Sequence, residues 1–573
     1  MKTLIADIET DGLLEDLTKI HCIGIKELGS HETLLFADED GYRPISEALE
    51  QLDTADQIVM HNGIGFDYPA ILRVYGRSAT FAREKIYDTL VASRFFTPEK
   101  RSHSLEALGF ELGFEKGTHD DWSSFTESMG AYCQTDCEVT AKVFEALYDP
   151  NFSGPLSLEF DFAWVISLQE QHGFKIDIEK AQSLESEFRQ EMHDISSDLQ
   201  RIWLPIITER YSEKTGKRLK DHVEIFNCSS RKQIGERLAA HYGWKPKTFT
   251  PTGQPKIDET VLEKLTYPEA QKLGRYFRLQ KMMSQICDGD NSWLKKERNG
   301  YVHGYVRTVG TSTHRCSHFA PNLAQVDKKE PRMRECWLPD DGDVLVGCDA
   351  DALELVALSH YLGKYDNGEY QKALLTGSKE NGTDVHSRTQ KLLELPTRDT
   401  AKSMQYAYLY GAGDKKLSQI AREAGAPIRD GKVIRRRMNE GINGLGELSS
   451  AIQKRADIGW FKAIDGRHIK CDSQHRMLNY LLQSCGAIVM KKALQVFHFD
   501  LATKAGHVRD ESTVNFSYVC NVHDEVQLSV RPEYAEEIGQ LFCVSITEGA
   551  KRLGLRCPLS GTYQIGNNWK ETH

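Results

Sequence analysis

The chain holds 573 residues, 40% hydrophobic and 27% charged, with a mean hydropathy of −0.49; that is room for about three or four folding units, each with its own core. No apolar run reaches the roughly 18 residues of a membrane span, and the 13 cysteines include no CxxC pair, so neither a membrane protein nor a disulfide or zinc scaffold is expected. The net charge of −11 is uneven: residues 1–150 carry 13 Lys and Arg against 28 Asp and Glu, a balance of −15, which leaves +4 for residues 151–573.

A nucleic-acid partner is therefore not excluded, since a channel needs only a local basic stripe. Arg398, Lys402, Lys415, Lys416 and the run Arg435, Arg436, Arg437 are candidates for it. Residues 1–10 run directly into an apolar segment ending in acids, unlike a basic cleavable leader, and point to the cytoplasm.

In chain order, residues 1–150 alternate strand-like stretches at 4–8, 22–25 and 57–60 with helical patterns at 46–52 and 104–112, an α/β domain. After a break at 149–155, residues 156–300 are helical by period, with amphipathic segments at 156–171 and 178–203 and a loop at 244–256, and read as a helical arm. Strand-like runs return at 301–309 and 343–349, and helices dominate from 352 to about 460. Two apolar runs at 516–522 and 526–530 are expected to join the earlier strands in one sheet.

Two constellations carry chemistry. ADIET puts Asp7 and Glu9 two apart on a strand, on one face. HNGIGFD puts Asp67 at a strand-to-helix turn, and AYCQTDCEV puts Tyr132 and Asp136 four apart on one helix face. Four carboxylates and a phenol suit phosphodiester hydrolysis by two hard cations. Each element alone is usually solvated surface or a local contact; their order is specific. It resembles the exonuclease superfamily with three Asp and one Glu, in its tyrosine-containing branch. That resemblance implies Asp7, Glu9 and Asp136 on one Mg²⁺ or Mn²⁺ ion, Asp7 and Asp67 on a second, and Tyr132 with Glu9 positioning water.

The second constellation begins with VLVGCDADALEL, a buried strand delivering Asp349, and ends with CNVHDEVQL, which sets His523, Asp524 and Glu525 in a tight turn between strands. Asp349 and Asp524 facing each other would suit in-line phosphoryl transfer. Between them, Arg398, Lys402, Tyr406 and Tyr410 recur every four residues and share one broad helix face. Cations suit a triphosphate and aromatics a base, whereas Arg and Lys on a packing stripe make poor core.

These motifs, with His386 in DVHSRTQ, LNYLLQSCGA, THRCSHFAPNLAQ and the closing NNWKETH, resemble family A DNA polymerases over nearly the whole chain. LPTRD, LYGAGD and DNGEY look closest to replicative polymerases of short-tailed bacteriophages. The implied fold is multidomain α/β plus α: a ribonuclease H-like 3′→5′ exonuclease at 1–150, then a right-hand polymerase with thumb at 155–300, palm at 301–360 and 476–573, and fingers at 361–475. By resemblance, Asp349, Asp524 and the Ala350 carbonyl would bind two more ions, with Glu525 beside them. Arg398, Lys402 and His386 would hold a dNTP, Glu354 would be the steric gate against a 2′-hydroxyl, and Tyr406 would lie beside the nucleotide. Arg315, Asn322, Gln325, Tyr410, Asn479, Gln483 and His523 would contact primer-template DNA, Arg315 and Gln483 reading minor-groove acceptors. Ser229 or Ser230 reads as a helix N-cap meeting a duplex phosphate.

Three departures stand out: His314, expected to add bulk near DNA, Asp351 beside Asp349, and Val356. The stretch 204–227 is short where the phage relatives insert a processivity loop, so a thioredoxin-type factor is not expected; helicase-primase and single-strand binding protein are the partners a replicative role implies. A stand-alone exonuclease is opposed by Asp349, Asp524 and the Lys402 stripe. Glu354 and the amino-terminal domain oppose an RNA polymerase, and the intact carboxylates oppose a non-enzymatic scaffold.

Overall fold

A computed structural model describes residues 1–77, 81–114, 117–471 and 473–573. The amino-terminal sheet has the order β3-β2-β1-β4-β5, with β1 Thr3–Thr10, β2 Ile20–Glu27, β3 Thr33–Phe36, β4 Gln57–Met60 and β5 Ile86–Asp88. Central placement buries β1 almost completely, Asp7 being its one half-exposed residue. Helices α1 Asp67–Tyr75, α2 Thr89–Phe96 and α3 Glu127–Leu147 cover the sheet. Gly24 lets α3 lie close on β2, since a Cβ there would stand 2.8 Å from Cys137 Sγ.

Helix α4, Ser153–His172, is not part of the thumb as the expected 155–300 boundary had it. Its Trp164 packs on Tyr68 in the amino-terminal core, while Leu158, Phe162, Val165 and Ile166 enter the carboxy-terminal core. It is buried on both sides and belongs to both. The arm itself begins with α5 Ile178–Ile202. Where only a short link was expected, β6 Ile206–Tyr211 and β7 Arg218–Glu224 form a hairpin whose first strand is wholly exposed, Ile207 to 64% and Tyr211 to 55%. Helices α6 Arg231–Tyr242 and α7 Pro268–Met283 complete the arm.

The expected strand at 301–309 breaks at His303–Gly304. Its first part joins a small sheet with Phe174–Ile176, and its second, β8 Tyr305–Arg307, forms a hairpin with β9 Ser317–Phe319. Then come β10 Val344–Ala350, α8 Leu353–Leu362, α9 Val385–Leu393 and α10 Arg398–Leu409. A hairpin of β11 Trp460–Lys462 and β12 His468–Lys470 precedes α11 Met477–Val496. The chain closes with β13 Phe516–Val522, β14 Glu525–Val530, α12 Ala535–Arg552 and β15 Gly561–Gly566. As the apolar runs implied, the late strands rejoin the early one, in an antiparallel sheet of order β13-β14-β10-β15. Gly347 lets the carboxy-terminal segment cross β10, because a Cβ there would run into the Thr572 carbonyl. Among the described residues no helix is long and apolar enough to cross a membrane.

Candidate active sites

Ligand atoms of Asp7, Glu9 and Cys133 lie within 4.8 Å of one another. Cys133 stays a thiol: its Sγ donates to the Asp7 carbonyl at 3.4 Å, and its bond to Cys22, with burial, pushes its pKa well above the thiol range. Asp67 opens α1, and Asp136 follows Tyr132 by one turn on α3; both carboxylates are buried. Burial pushes Asp67 up to about 7, and the charges of Asp88 and Asp136 add to it. The Tyr132 ring packs against Trp122 at 5.8 Å.

Asp88, which the motif reading passed over, organises this end. Wholly buried, it caps α2 by accepting from Leu90 N at 2.9 Å and Val91 N at 3.1 Å, and it also accepts from Asn62 N at 3.2 Å and Ile64 N at 3.0 Å. The second pair pins the loop that delivers Asp67. The sequence signals the cap, an Asp before TLVASRFF, but not the loop contact.

At the other end, β10 pairs with β14 so that Asp349 faces Glu525, and the two-residue turn His523–Asp524, with His523 at φ +59°, brings Asp524 alongside. Ala350 N donates to the Asp524 carbonyl at 3.3 Å. Burial and then the Asp524 charge push Asp349 up to about 6; burial and then Glu354 raise Asp524. One Asp349 oxygen, Oδ1, is buried with no hydrogen-bond partner. Glu525 is committed elsewhere. It accepts from Trp569 Nε1 and from Gln527 Nε2 at 2.9 Å, and lies 3.0 Å from His573 Nδ1, so that its pKa is lowered even though burial works the other way.

A family model described as DNA polymerase family A matches residues 207–571. The chain belongs to DNA polymerase family A. A second model, the RNase H superfamily, matches residues 4–148, so the polymerase carries an RNase H-like amino-terminal domain. It is 28% identical to the DNA-directed DNA polymerases of Enterobacteria phage T3 and Escherichia phage T7, over 100% of both chains in each case. With DNA polymerase I of Aquifex aeolicus it shares 22% identity over 96% of this chain and 93% of that one. The solved POL domain of Pol1 from M. smegmatis, in complex with DNA primer-template and dNTP, has the same fold: TM-score 0.78 at 18% identity, covering 99% of this polymerase and 96% of that chain.

Arg398, Lys402 and Tyr406 lie along α10, with Tyr410 at its C-cap and stacked 6.2 Å from Tyr406. Lys402 is exposed, and among the described residues no carboxylate pairs with it. Arg398 donates to Asp384 at 3.0 Å; the Ser387 hydroxyl and then Arg398 hold that carboxyl at about 2 against the opposing effect of burial. His386 is buried on Gln405 at 2.9 Å. Glu354 accepts from Arg315 at 3.0 Å and from the Tyr410 hydroxyl at 2.8 Å, so these three side chains form one cluster in this structure. Gln483 accepts from Thr313 at 3.4 Å, and Asn479 lies one turn earlier on α11, beside Gly411. Asn322 and Gln325 flank a short helical turn, Leu323–Gln325. Ser230 caps α6 by accepting from Gln233 N at 3.4 Å, whereas Ser229 bonds Tyr276 at 3.3 Å and is not the cap. Asp351 is held by Ser560 at 2.7 Å, and Val356 is core.

His314 is buried in the core, where its position before Arg315 had suggested added bulk near DNA. It is 1% exposed, packs 5.3 Å from the Phe95 ring, and receives Arg467 Nη1 at 3.1 Å. Around it Lys491 donates to Glu159 at 2.8 Å, to the Thr308 carbonyl at 2.8 Å and to the His314 carbonyl at 2.9 Å. Arg467 pairs with Glu159 and with Asp465 at 2.7 Å. This buried network joins α4, the loop that carries Arg315, the β11–β12 hairpin and α11. Its members are hundreds of positions apart, and no local pattern announces it.

Proposed function

We propose that this polymerase performs template-directed DNA synthesis and carries its own 3′→5′ proofreading exonuclease, in a replicative role, both reactions depending on two Mg²⁺ or Mn²⁺ ions per site. The observation that carries this is a device present twice: like-charged carboxylates held close together with at least one pKa pushed up, Asp349 and Asp524 both raised at one site, and Asp67 raised beside the charge of Asp136, with Asp7 and Glu9, at the other. Such groups are costly in a folded core unless a cation joins them. The unpartnered Asp349 Oδ1 and the oxygen-only donors suit a hard divalent ion. Asp349, Asp524 and the Ala350 carbonyl would hold the ions of synthesis, and Asp7, Glu9, Asp67 and Asp136 those of hydrolysis. Bound ions supply transition-state charge stabilisation and lower the pKa of the attacking group.

The chain's own groups do the rest. Lys402 meets the triphosphate of the dNTP, with Arg398 and His386 turning to it from Asp384 and Gln405. Glu354 closes the space at the sugar 2′ position, while Tyr406 flanks the sugar. Arg315 and Gln483 hold the primer-template minor groove, and Tyr132 with Glu9 orients water at the exonuclease. The β6–β7 hairpin replaces a long inserted loop, so extension is proposed without a thioredoxin-type factor. Extension of a labelled primer, with dNTPs or rNTPs, in Mg²⁺, Mn²⁺ or chelator, tests the reading alongside digestion of a mismatched 3′ end. Metal-dependent, template-directed use of dNTPs is expected, with removal of the mismatch. A folded protein that extends without regard to template, or retains both activities in chelator, overturns it.

A further inference from the structure

Three buried side chains, each from a different helix, stand in line beside Arg398 and Lys402. Gln405 on α10 is 1% exposed. Its Nε2 donates to the Tyr370 hydroxyl at 2.6 Å, and its Oε1 lies 2.9 Å from His386 Nδ1, near the start of α9. The backbone of His386 is pinned as well, because Asp384 caps α9 and accepts from His386 N at 3.1 Å. Tyr370, in the helix Glu369–Thr376, is buried; burial and then Tyr406 raise its pKa, so it stays a neutral phenol.

A carboxamide has one donor end and one acceptor end. With the donor end of Gln405 on Tyr370, the acceptor end faces Nδ1, and only a protonated Nδ1 can meet it. A neutral imidazole carries a single N–H, so Nε2 is then a bare lone pair. A lone pair repels a phosphate oxygen, whereas an imidazolium has an N–H on both nitrogens and binds it through charge. Without a nucleotide the neutral form is favoured: burial lowers the His386 pKa and Arg398 and Lys402 lower it further, while the Gln405 bond and Asp384 act against them. The Tyr406 ring, 6.2 Å away, adds no charge, its pKa being pushed up to about 12 by burial and then by Glu354. A triphosphate beside Arg398 and Lys402 offsets their charge and favours the imidazolium.

We propose that Gln405, oriented by Tyr370, is a positioning residue of the nucleotide site: by keeping a proton on His386 Nδ1 it lets the imidazole grip a triphosphate only as imidazolium, so that a bound dNTP brings a proton with it. This rests on the reading of His386 as a triphosphate ligand. The proton passes from solvent to Nε2 and returns to solvent when pyrophosphate leaves. As the ring turns to the nucleotide, its bond to Gln405 is the pivot.

The test uses the full chain carrying Asp7→Ala and Glu9→Ala, so that the primer is kept, with His386, Gln405 and Tyr370 intact or substituted. Binding of the templated dNTP in Mg²⁺, on a primer ended by a dideoxynucleotide, is followed by titration calorimetry in PIPES and in Tris, whose different ionisation enthalpies count the protons taken up. The intact site should take up more protons per dNTP than His386→Gln, by up to about one, and relative to that variant its affinity should fall by up to about tenfold per pH unit. Asp349, Asp524, the ions and the nucleotide's own phosphates titrate in every form and cancel in the difference. Gln405→Leu lets the proton move to Nε2; it should lose the extra uptake and bind about tenfold more weakly at pH 6.5, yet converge on the intact site at pH 8.5. Tyr370→Phe, one oxygen smaller, frees the amide to turn and should lose part of the uptake, and it carries the test if Gln405→Leu does not fold. Full uptake in both variants overturns the proposal, as does affinity lost by one factor at every pH, the mark of packing alone. Weaker binding by His386→Gln with unchanged uptake also overturns it, and leaves the triphosphate role of His386 standing. Undiminished binding by His386→Gln at every pH removes that role and the proposal with it.

Discussion

At the amino-terminal site, acids arrive from three elements, Asp7 and Glu9 on β1, Asp67 at the start of α1 and Asp136 on α3, and backbone N–H groups gathered by Asp88 hold the loop between them. At the carboxy-terminal site, Asp349 lies on β10 and Asp524 in the turn that leads into its neighbour β14, and beside them Glu354 is bonded to Arg315 and Tyr410, and Glu525 to Trp569 and His573. The first site is positioned by short-range loop and cap contacts, the second by pairing of strands far apart in sequence. The amino-terminal geometry should therefore fail through its loop and the carboxy-terminal geometry through its distant contacts, and each should fail alone.

The largest effect is that separation. Asp524→Asn should cut primer extension by at least about 10²–10³-fold, the cost of losing one group aimed at transition-state charge, and leave digestion of single-stranded 3′ ends unchanged. Asp7→Ala with Glu9→Ala should do the reverse. Loss of both activities in either folded variant, measured by gel assays on one labelled substrate, would show that the sites are not independent.

Where the two regions meet, Lys491→Met leaves Glu159 and the Thr308 and His314 carbonyls without their buried ammonium partner. Breaking such a pair costs about 3–5 kcal/mol, to be read as a drop in the urea midpoint. Because the same amine holds the loop that carries Arg315, the KM for primer-template should rise while KM for single-stranded ends stays. A stability change under 1 kcal/mol would mean that the network is solvated rather than buried.

How much of this was legible follows the same division. Asp7 with Glu9, Asp67, and Tyr132 with Asp136 could be read because strand period, turn and helix period act over a few residues. The Arg398–Lys402–Tyr406–Tyr410 stripe was legible for the same reason, and the apolar runs around Asp349 and Asp524 announced a shared sheet. What stayed hidden depends on distant contacts. Nothing near His314 says that Phe95, Arg467 and Lys491 surround it, and nothing near Arg307 says that it lines one cavity with Asp7 and Asp136. Helix α4 was assigned to the arm because its period gives its helicity but not the two cores it divides. The β6–β7 hairpin was missed because IITERY and RLKDHVE lack the apolar–polar alternation of a half-buried strand.

Asp88 should give a smaller and one-sided effect. Asp88→Asn keeps a side-chain acceptor but loses the charge and half of the acceptor capacity that serves Asn62, Ile64, Leu90 and Val91. Metal-supporting partners of this kind typically contribute 10–100-fold in metal affinity, so the Mg²⁺ concentration giving half-maximal digestion should rise by about that factor and that for extension should not. Equal shifts in the two would remove the distinction drawn between loop and sheet.

Glu354→Ala probes the braced side. Shortening the residue opens space at the sugar and also releases Arg315 and Tyr410. Rejection of an added hydroxyl by shape alone is worth up to about a hundredfold, so the rNTP-to-dNTP ratio of kcat/KM should rise within that limit. The freed Arg315 should lower the KM for primer-template at the same time. An unchanged sugar ratio would place the gate elsewhere.

The smallest effect is on acid tolerance, and it tests the junction without touching either set of carboxylates. His314 is enclosed by Phe95 and by the charges of Arg467 and Lys491, with Glu159 and Asp465 neutralising those cations. Burial, then Arg467, then Lys491, hold its pKa well below the usual histidine value. An unfolded histidine takes up a proton near pH 6.5, so just below that pH the unfolded chain binds more protons than the folded one. Stability from this residue is then complete above about pH 6.5 and is lost progressively as the pH falls. His314→Gln, which can still accept from Arg467 but cannot ionise, should melt lower at pH 8 for want of shape, yet lose less Tm between pH 7 and pH 5. All other histidines are common to both proteins, so the difference between the two slopes isolates His314. Parallel slopes would mean that its ring reaches solvent, and that the contact between the RNase H-like domain and the carboxy-terminal half at Phe95 is looser than the structure shows.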